Sequence, residues 1–356
     1  LTTGAEIFGD EWLEVVKAGA DARKKITAKI AKETPFPGMG GDLIKIPKPI
    51  PMMIDSLTQF KVKSVEEKIV NKNAVGESGA NTQFMREAAA KAQMITQLPS
   101  LTAGGSILIG MVAHVGKKIV MDQYAPQDAR LSHSKRGGTV KGVTEKFEFI
   151  NNNLFEIFQA KPLMNSSSDK TAKYPMDSSD RQEGTVDLMI LQMVNTRNKN
   201  GPSGFNFELI VSQTQGFQPS LTEFHYIKDR LNNYGVTGSN TSYVLDICPD
   251  VSLSRTTVRK KISESPDLVR ALEITSQMGQ MQRLWKQDEK YICTPKELYD
   301  DLKAKGYDWS VLLNTRGWWC FEEDAPLELN FLSTLDLLKM RTGEYHPYWM
   351  EPLKEK

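Results

Sequence analysis

Two residues able to do chemistry each close an apolar run. Asp55 ends "PIPMMID" and is followed by Ser56, and His114 ends "SILIGMVAH". A carboxylate at the end of a buried strand can hold a magnesium-bound water beside nucleotide phosphates. It can equally cap a turn, and a histidine on an apolar strand can be a core residue satisfied by backbone. After His114 the chain is polar and basic: Lys117, Lys118, Arg130, Lys135, Arg136 and Lys141 stand against Asp122 and Asp128, with Gly137 and Gly138 among them. Such a run is either a solvated surface loop or a phosphate-binding one. The paired glycines favour the latter, because they let the backbone approach a nucleic-acid strand closely. Nothing resembles a recognition helix, so the expected DNA binding is independent of base sequence.

These residues need elements to position them. Residues 10–32 place Trp12, Leu13, Val16, Ala20 and Ile26 at helical intervals, acidic early and basic late, as the helix dipole favours. The stretch "ETPFPGMGGDLIKIPKPIP" is crowded with proline and glycine and reads as an exposed insertion. A second helix is predicted over residues 78–98, stopped near Pro99. The run after it, "SILIGMVAH", is continuously apolar, as a strand covered on both faces in a parallel sheet is. Strand, helix and strand then make a crossover unit. Ligands gather at the carboxyl ends of such strands, which would turn Asp55 and His114 into one crevice.

Further strands are predicted at "TVDLMILQMVN" and "GFNFELIVSQ", joined through the turn-forming "TRNKNGPS". Thr294, Pro295 and Glu297 form a capping box that opens a helix closed by Gly306. Trp318 and Trp319 fit the core of a small module better than a base-stacking platform. With 356 residues the chain can bury a large core, and no apolar stretch is long enough to span a bilayer. A net charge of +1 excludes neither nucleic acid nor an acidic partner, since the local distribution of charge decides attraction. The three cysteines, Cys248, Cys293 and Cys320, are too scattered for a disulfide framework or a zinc cluster, so a reducing cytoplasm is expected. The chain begins at Leu1 without the features of a signal peptide, and an upstream segment is expected.

In order, the motifs resemble the RecA recombinase family, in particular its phage UvsX branch. "MMIDS" is similar to the family's strand ending in Asp-Ser. "ESGANTQFMREAAAKA" resembles its first DNA-binding loop and the helix after it, with Arg86 at the loop arginine. "ILIGMVAH" resembles the strand whose polar end senses the nucleotide, "HSKRGG" the second DNA-binding loop, and "NTRNKNGPSGFNFELIV" with "GFQP" the segment whose two basic residues reach a neighbour's ATP. "RKKISESPDLVRALE" is similar to the helix after the core. The likeness spans about residues 1 to 275. It departs from the family in one respect: no G-x-x-x-x-G-K-[ST] phosphate loop occurs, since "GMVAHVGKK" has the wrong spacing and no hydroxyl residue. In the family that loop and a catalytic glutamate precede the "MMIDS" strand, and here they would lie before Leu1.

The resemblance implies an α/β, RecA-like core with a mostly parallel central sheet flanked by helices, plus a small C-terminal α+β module. Residues 1–235 would be the core, 236–284 a hairpin and helix after it, and 285–356 the module. It implies a homologous recombination protein that filaments on single-stranded DNA and pairs it with double-stranded DNA, with ATP and Mg as cofactors. Asp55 would orient the metal through water, Ser56 would contact the cofactor, and His114 would report the terminal phosphate. Arg197 and Lys199 would act in trans on the transferring phosphoryl group. Arg86 and the basic loop, Lys117 to Lys141, would bind DNA. Partners would be further copies, in a filament or ring, with single-strand-binding and mediator proteins, in the cytoplasm of a bacterial host. The alternatives are a non-hydrolysing DNA-binding accessory protein and a replicative helicase of the same fold.

Overall fold

The computed structural model describes residues 9–59, 61–63, 77–116, 139–140, 150–166, 168–176, 187–239, 241–284, 288–321 and 329–351. Its contacts divide the chain into two units, residues 1–156 with 194–205, and residues 157–193 with 206–356.

The first unit opens with α1 (Gly9–Ile30), carrying Asp10 and Glu11 in its first turn and Lys29 in its last, as the sequence indicated. Leu13, Val16 and Ala20, spaced as one helical face, are its buried side chains beyond Gly9. The proline-rich insertion is a hairpin of β1 (Ala31–Pro37) and β2 (Leu43–Pro47), antiparallel, with its register broken between Glu33 and Pro37. The prolines of β1 cannot donate to a ladder, which suits that irregularity. β3 (Ile50–Asp55), α2 (Glu77–Gly105) and β4 (Ile107–Val112) follow as a strand, helix, parallel-strand unit, in register from Ile50 opposite Ile107 to Asp55 opposite Val112. α2 runs through Pro99 instead of stopping before it. Leu98 is buried and Leu101 packs on the same cluster, so tertiary packing carries the helix past the lost backbone bond.

α1 and α2 cover one face of the β3–β4 pair through Leu13, Leu57, Met94, Ile95 and Leu98 in one cluster and Val16, Ala20 and Ile107 in another. Gly105 is required where the helices meet, since a Cβ there would lie 2.8 Å from the Ala20 Cα. Arg23 ties the same corner, its Nε donating to the Gly105 carbonyl at 2.6 Å and its terminal nitrogen to that of Lys48. Beyond β4, β5 (Val115–Gly116) pairs antiparallel with β6 (Thr139–Val140). β7 (Asn153–Pro162) and β8 (Leu188–Asn198) each contribute residues to both units.

In the second unit β9 (Asn206–Ser212) and β10 (Gly216–Phe217) pair antiparallel in a sheet ordered β10-β9-β8-β7. α3 (Pro219–His225) runs directly into a π-helical turn, Tyr226–Arg230. β11 (Val236–Gly238), β12 (Tyr243–Leu245) and β13 (Cys248–Leu253) form an antiparallel meander. Then come α4 (Val258–Glu264), the central α5 (Pro266–Leu284), α6 (Pro295–Ala304) and α7 (Trp309–Leu313). β14 (Thr315–Arg316) pairs in parallel with β15 (Asn330–Phe331), and α8 (Thr334–Thr342) closes the order. The Thr294–Glu297 capping box is present as the sequence indicated, and a second one, Ser333 with Asp336, opens α8.

The described residues are thus mixed α/β, with small, mostly antiparallel sheets in place of the single, mostly parallel sheet expected. The reason lies in the connections: β9 to β10 and β12 to β13 are joined by tight turns, which permit antiparallel pairing alone. Where the sequence suggested boundaries at 235/236 and 284/285, one continuous core runs from Leu163 through Leu272 and Leu298 to Met340. Residues 285–356 pack within the second unit. Among the described residues no helix is long and apolar enough to cross a membrane.

Candidate nucleotide and DNA site

The β3–β4 register sets the site. Asp55 pairs with Val112 at the carboxyl end of the two strands, and His114 stands two residues further along the second. Leu57, fully buried, anchors the short 3-10 turn that follows β3. Thr58 in that turn accepts the His114 backbone N–H on its Oγ1 at 2.9 Å. The ends of the two strands are therefore hydrogen-bonded to each other across the turn. Asp55 and His114 are exposed and Ser56 is half-buried; the Asp55–Ser56 peptide bond is cis. An exposed carboxylate at a strand end is free to accept hydrogen bonds from a hydrated cation.

A magnesium ion suits such a residue, because it keeps several waters and takes one or two carboxylates together with phosphate oxygens. Among the described residues no group of three or more His, Cys, Asp and Glu gathers to hold a metal. Asp55 suits a site completed by nucleotide and water.

β5 begins immediately after His114, and β6 returns opposite it, with Val115 across from Val140 and Gly116 across from Thr139. Gly116 and Thr139, the described residues that flank the basic segment, are therefore paired with each other just beyond His114. Lys117, Lys118, Arg130, Lys135, Arg136, Gly137, Gly138 and Lys141 themselves lie outside the described residues. Arg86 belongs to α2 by its backbone, and its side chain also lies outside them.

Arg197, in β8, donates from Nε to the Asn151 carbonyl at 3.0 Å. Lys199 donates its backbone N–H to the Asn152 carbonyl at 2.9 Å and its Nζ to that of Ile150 at 3.3 Å. The strand register puts Asp55 and His114 at the same end of the β3–β4 pair, and Arg197 and Lys199 are held on the carbonyls of residues 150–152. The core reading fails for Trp318, which is 53% exposed, while Trp319 is half-buried with its ring 5.0 Å from that of Phe321.

Sequence reasoning missed the buried charges of the second unit. Arg270, buried on α5, donates to Glu273 at 2.5 Å and to the Leu332 carbonyl at 2.5 Å. Burial, reinforced by Glu273 and opposed by Arg270, pushes the Glu223 carboxyl up to about 8. Buried His225 shares Nδ1 with the Tyr174 hydroxyl at 2.9 Å and with Asp229 at 3.3 Å, and burial outweighs Asp229 to hold the imidazole below its ordinary range. Burial alone would raise Glu208, but hydrogen bonds from Arg230 and Gln192 bring it below the usual carboxylate value. The only trace in the sequence is Arg270 and Glu273 at helical i,i+3 spacing on an apolar face. The chain matches no protein-family model and no curated protein.

Proposed function

We infer that the chain is a RecA/UvsX-like recombination protein: it binds single-stranded DNA through the loop after His114 and couples that binding to ATP and magnesium at Asp55. The supporting observation is the parallel β3–β4 register, with Asp55 and His114 at one end and the paired roots of the basic loop directly beyond. On this reading the unit containing them is part of a RecA-like core. Asp55 orients the magnesium's water shell, and the metal when bound neutralises phosphate charge. Ser56 adds a hydroxyl contact to the nucleotide.

His114 contacts the terminal phosphate and passes its presence or loss to β5 and β6, ordering or releasing the loop. Arg86 and the lysines and arginines of residues 117–141 neutralise DNA phosphates. Arg197 and Lys199 serve the neighbouring copy's site, which calls for exchange of their hydrogen bonds to residues 150–152. The phosphate loop, absent from this sequence, has to come from other residues.

Anisotropy titration of labelled single-stranded DNA over a range of salt tests the reading. Replacing Lys135 and Arg136 by Ala should flatten the dependence of log K on log salt by roughly 0.7 per lost contact. An unchanged slope removes this loop from the DNA site. Binding to DNA without any response to Mg·ATP would make the chain a non-hydrolysing accessory protein instead.

A further inference from the structure

The connection from β7 to β8 takes no part in the function above, and within it residues 171–174 form a strap tied down in the second unit. The Thr171 carbonyl accepts the Asn165 N–H at 2.9 Å, and the Lys173 N–H donates to the Leu163 carbonyl at 3.1 Å. Arg255 donates from one terminal nitrogen to the Ala172 and Lys173 carbonyls at 3.0 and 3.1 Å. Two consecutive side chains of the strap then end on one pair of residues. The Tyr174 hydroxyl meets His225 Nδ1 at 2.9 Å, and Lys173 Nζ meets Asp229 Oδ2 at 2.6 Å. His225 closes α3, and Asp229 lies four residues on in the π-helical turn, where the Leu231 N–H bonds back five residues to the Tyr226 carbonyl. That same Asp229 oxygen is 3.3 Å from Nδ1.

The proton count on His225 decides what this arrangement can hold. Tyr174 is 2% exposed and His225 5%, so a hydrogen left unpaired between them goes unsatisfied. Among the described residues the Tyr174 hydroxyl has no other acceptor, so it donates and Nδ1 accepts. The ring is then neutral, with its hydrogen on Nε2, 3.9 Å from Glu208 Oε2. Burial favours that neutral ring, with Lys173 of the strap and Arg230 of the π turn on its side and Asp229 and Glu208 against it. A second proton disturbs both strap contacts. Nδ1 becomes a donor facing the donor hydroxyl of Tyr174, and its nearest acceptor is the Asp229 oxygen that Lys173 already occupies. The added charge also lies beside the Lys173 ammonium, which repels it.

We propose that His225 is the latch of this strap and that its protonation opens it: one proton removes the acceptor of Tyr174 and contests the acceptor of Lys173, freeing residues 171–174 from α3 and the π turn while the rest of the second unit stays folded. Because folding disfavours the charged ring, the latch is fully closed above the ring's unfolded value and is lost as pH falls through the folded one. The latch involves neither nucleotide nor DNA, so it stands or falls apart from the recombinase reading.

The test uses the full chain and two readouts, imidazole nitrogen-15 shifts and amide hydrogen exchange. At pH 7.5 the His225 ring should show Nδ1 unprotonated. As pH falls through the ring's measured midpoint, protection of the Lys173 amide, corrected for intrinsic rate and set against the amides of α5, should drop at least about tenfold, as expected when a buried hydroxyl loses its partner. Tyr174→Phe should flatten that drop and let His225 take up its proton at a higher pH, because the competing hydroxyl is gone. His225→Gln, which can accept from Tyr174 without titrating, should keep the strap protected throughout. The Glu223 titration is common to all three chains and cancels. The proposal is overturned if Nδ1 carries the hydrogen at pH 7.5, if the Lys173 protection ratio does not change in the parent, or if Tyr174→Phe shows an equal drop. It is overturned equally if His225 takes up its proton only as α5 unfolds.

Discussion

Glu223 should make the second unit less stable as pH rises. Its carboxyl ionises near 4.5 when the chain is unfolded and at about 8 when folded. The folded state therefore binds the proton more tightly. The stabilisation is fully present below the unfolded value and is lost as pH climbs through the folded one. The displacement from 4.5 to about 8 has an upper bound of ~5 kcal/mol at 1.36 kcal/mol per unit. Glu223 keeps some solvent contact and Arg270 is near enough to favour its charged form, so roughly 2–4 kcal/mol is the reasonable range. Glu223→Gln keeps the shape and removes the titration. Native-state hydrogen exchange of α3 and α5 reads the free energy of opening this unit. The advantage of the glutamine variant over the parent should grow by that amount between pH 5 and pH 8.5, with all shared titrations cancelling. A difference between the two that stays flat across this range would refute the buried, protonated assignment.

Other outcomes follow from the same structure. Thr294→Ala removes the side chain that caps α6 and should cost about 1 kcal/mol in urea unfolding. Deleting residues 285–356 takes Leu298, Leu302, Leu312, Leu337 and Met340 out of the shared core, and the second unit should lose its near-ultraviolet circular dichroism. A truncated chain that keeps it would show that the core is divisible there. Arg197→Ala subunits mixed with Asp55→Asn subunits should recover part of the nucleotide-dependent strand pairing that each lacks. No recovery at any ratio would exclude action in trans.

What the sequence disclosed was local. α1, the crossover from β3 to β4 and the Thr294 cap were readable because each is set by neighbours in the chain: an apolar period, a continuous apolar run, a cap and its partner three residues on. The end of α2 was misread because the contacts of Leu98 and Leu101 override Pro99, and those contacts belong to the tertiary structure. The insertion was rightly placed and wrongly shaped, since its prolines hide a strand pair that forms with an irregular register. The sheet class was hardest. Strand runs at residues 188–198 and 206–212 look alike whether they pair parallel or antiparallel, and only the connections distinguish the two. For the site, Asp55 and His114 were visible as polar ends of apolar runs. The Glu223, Arg270 and Glu273 cluster was not, because it assembles from two helices distant in sequence.

The central claim is that Asp55 and His114 face the same bound nucleotide. Manganese can replace magnesium beside ATP and broadens nearby proton resonances, and the four histidines of the chain supply resolvable ring signals. Titrating Mn·ATP into the protein should broaden the His114 ring at substoichiometric Mn·ATP, and Asp55→Asn should abolish that broadening. A His114 ring that stays sharp as Mn·ATP is added, or a His114 response unchanged by Asp55→Asn, would contradict the account.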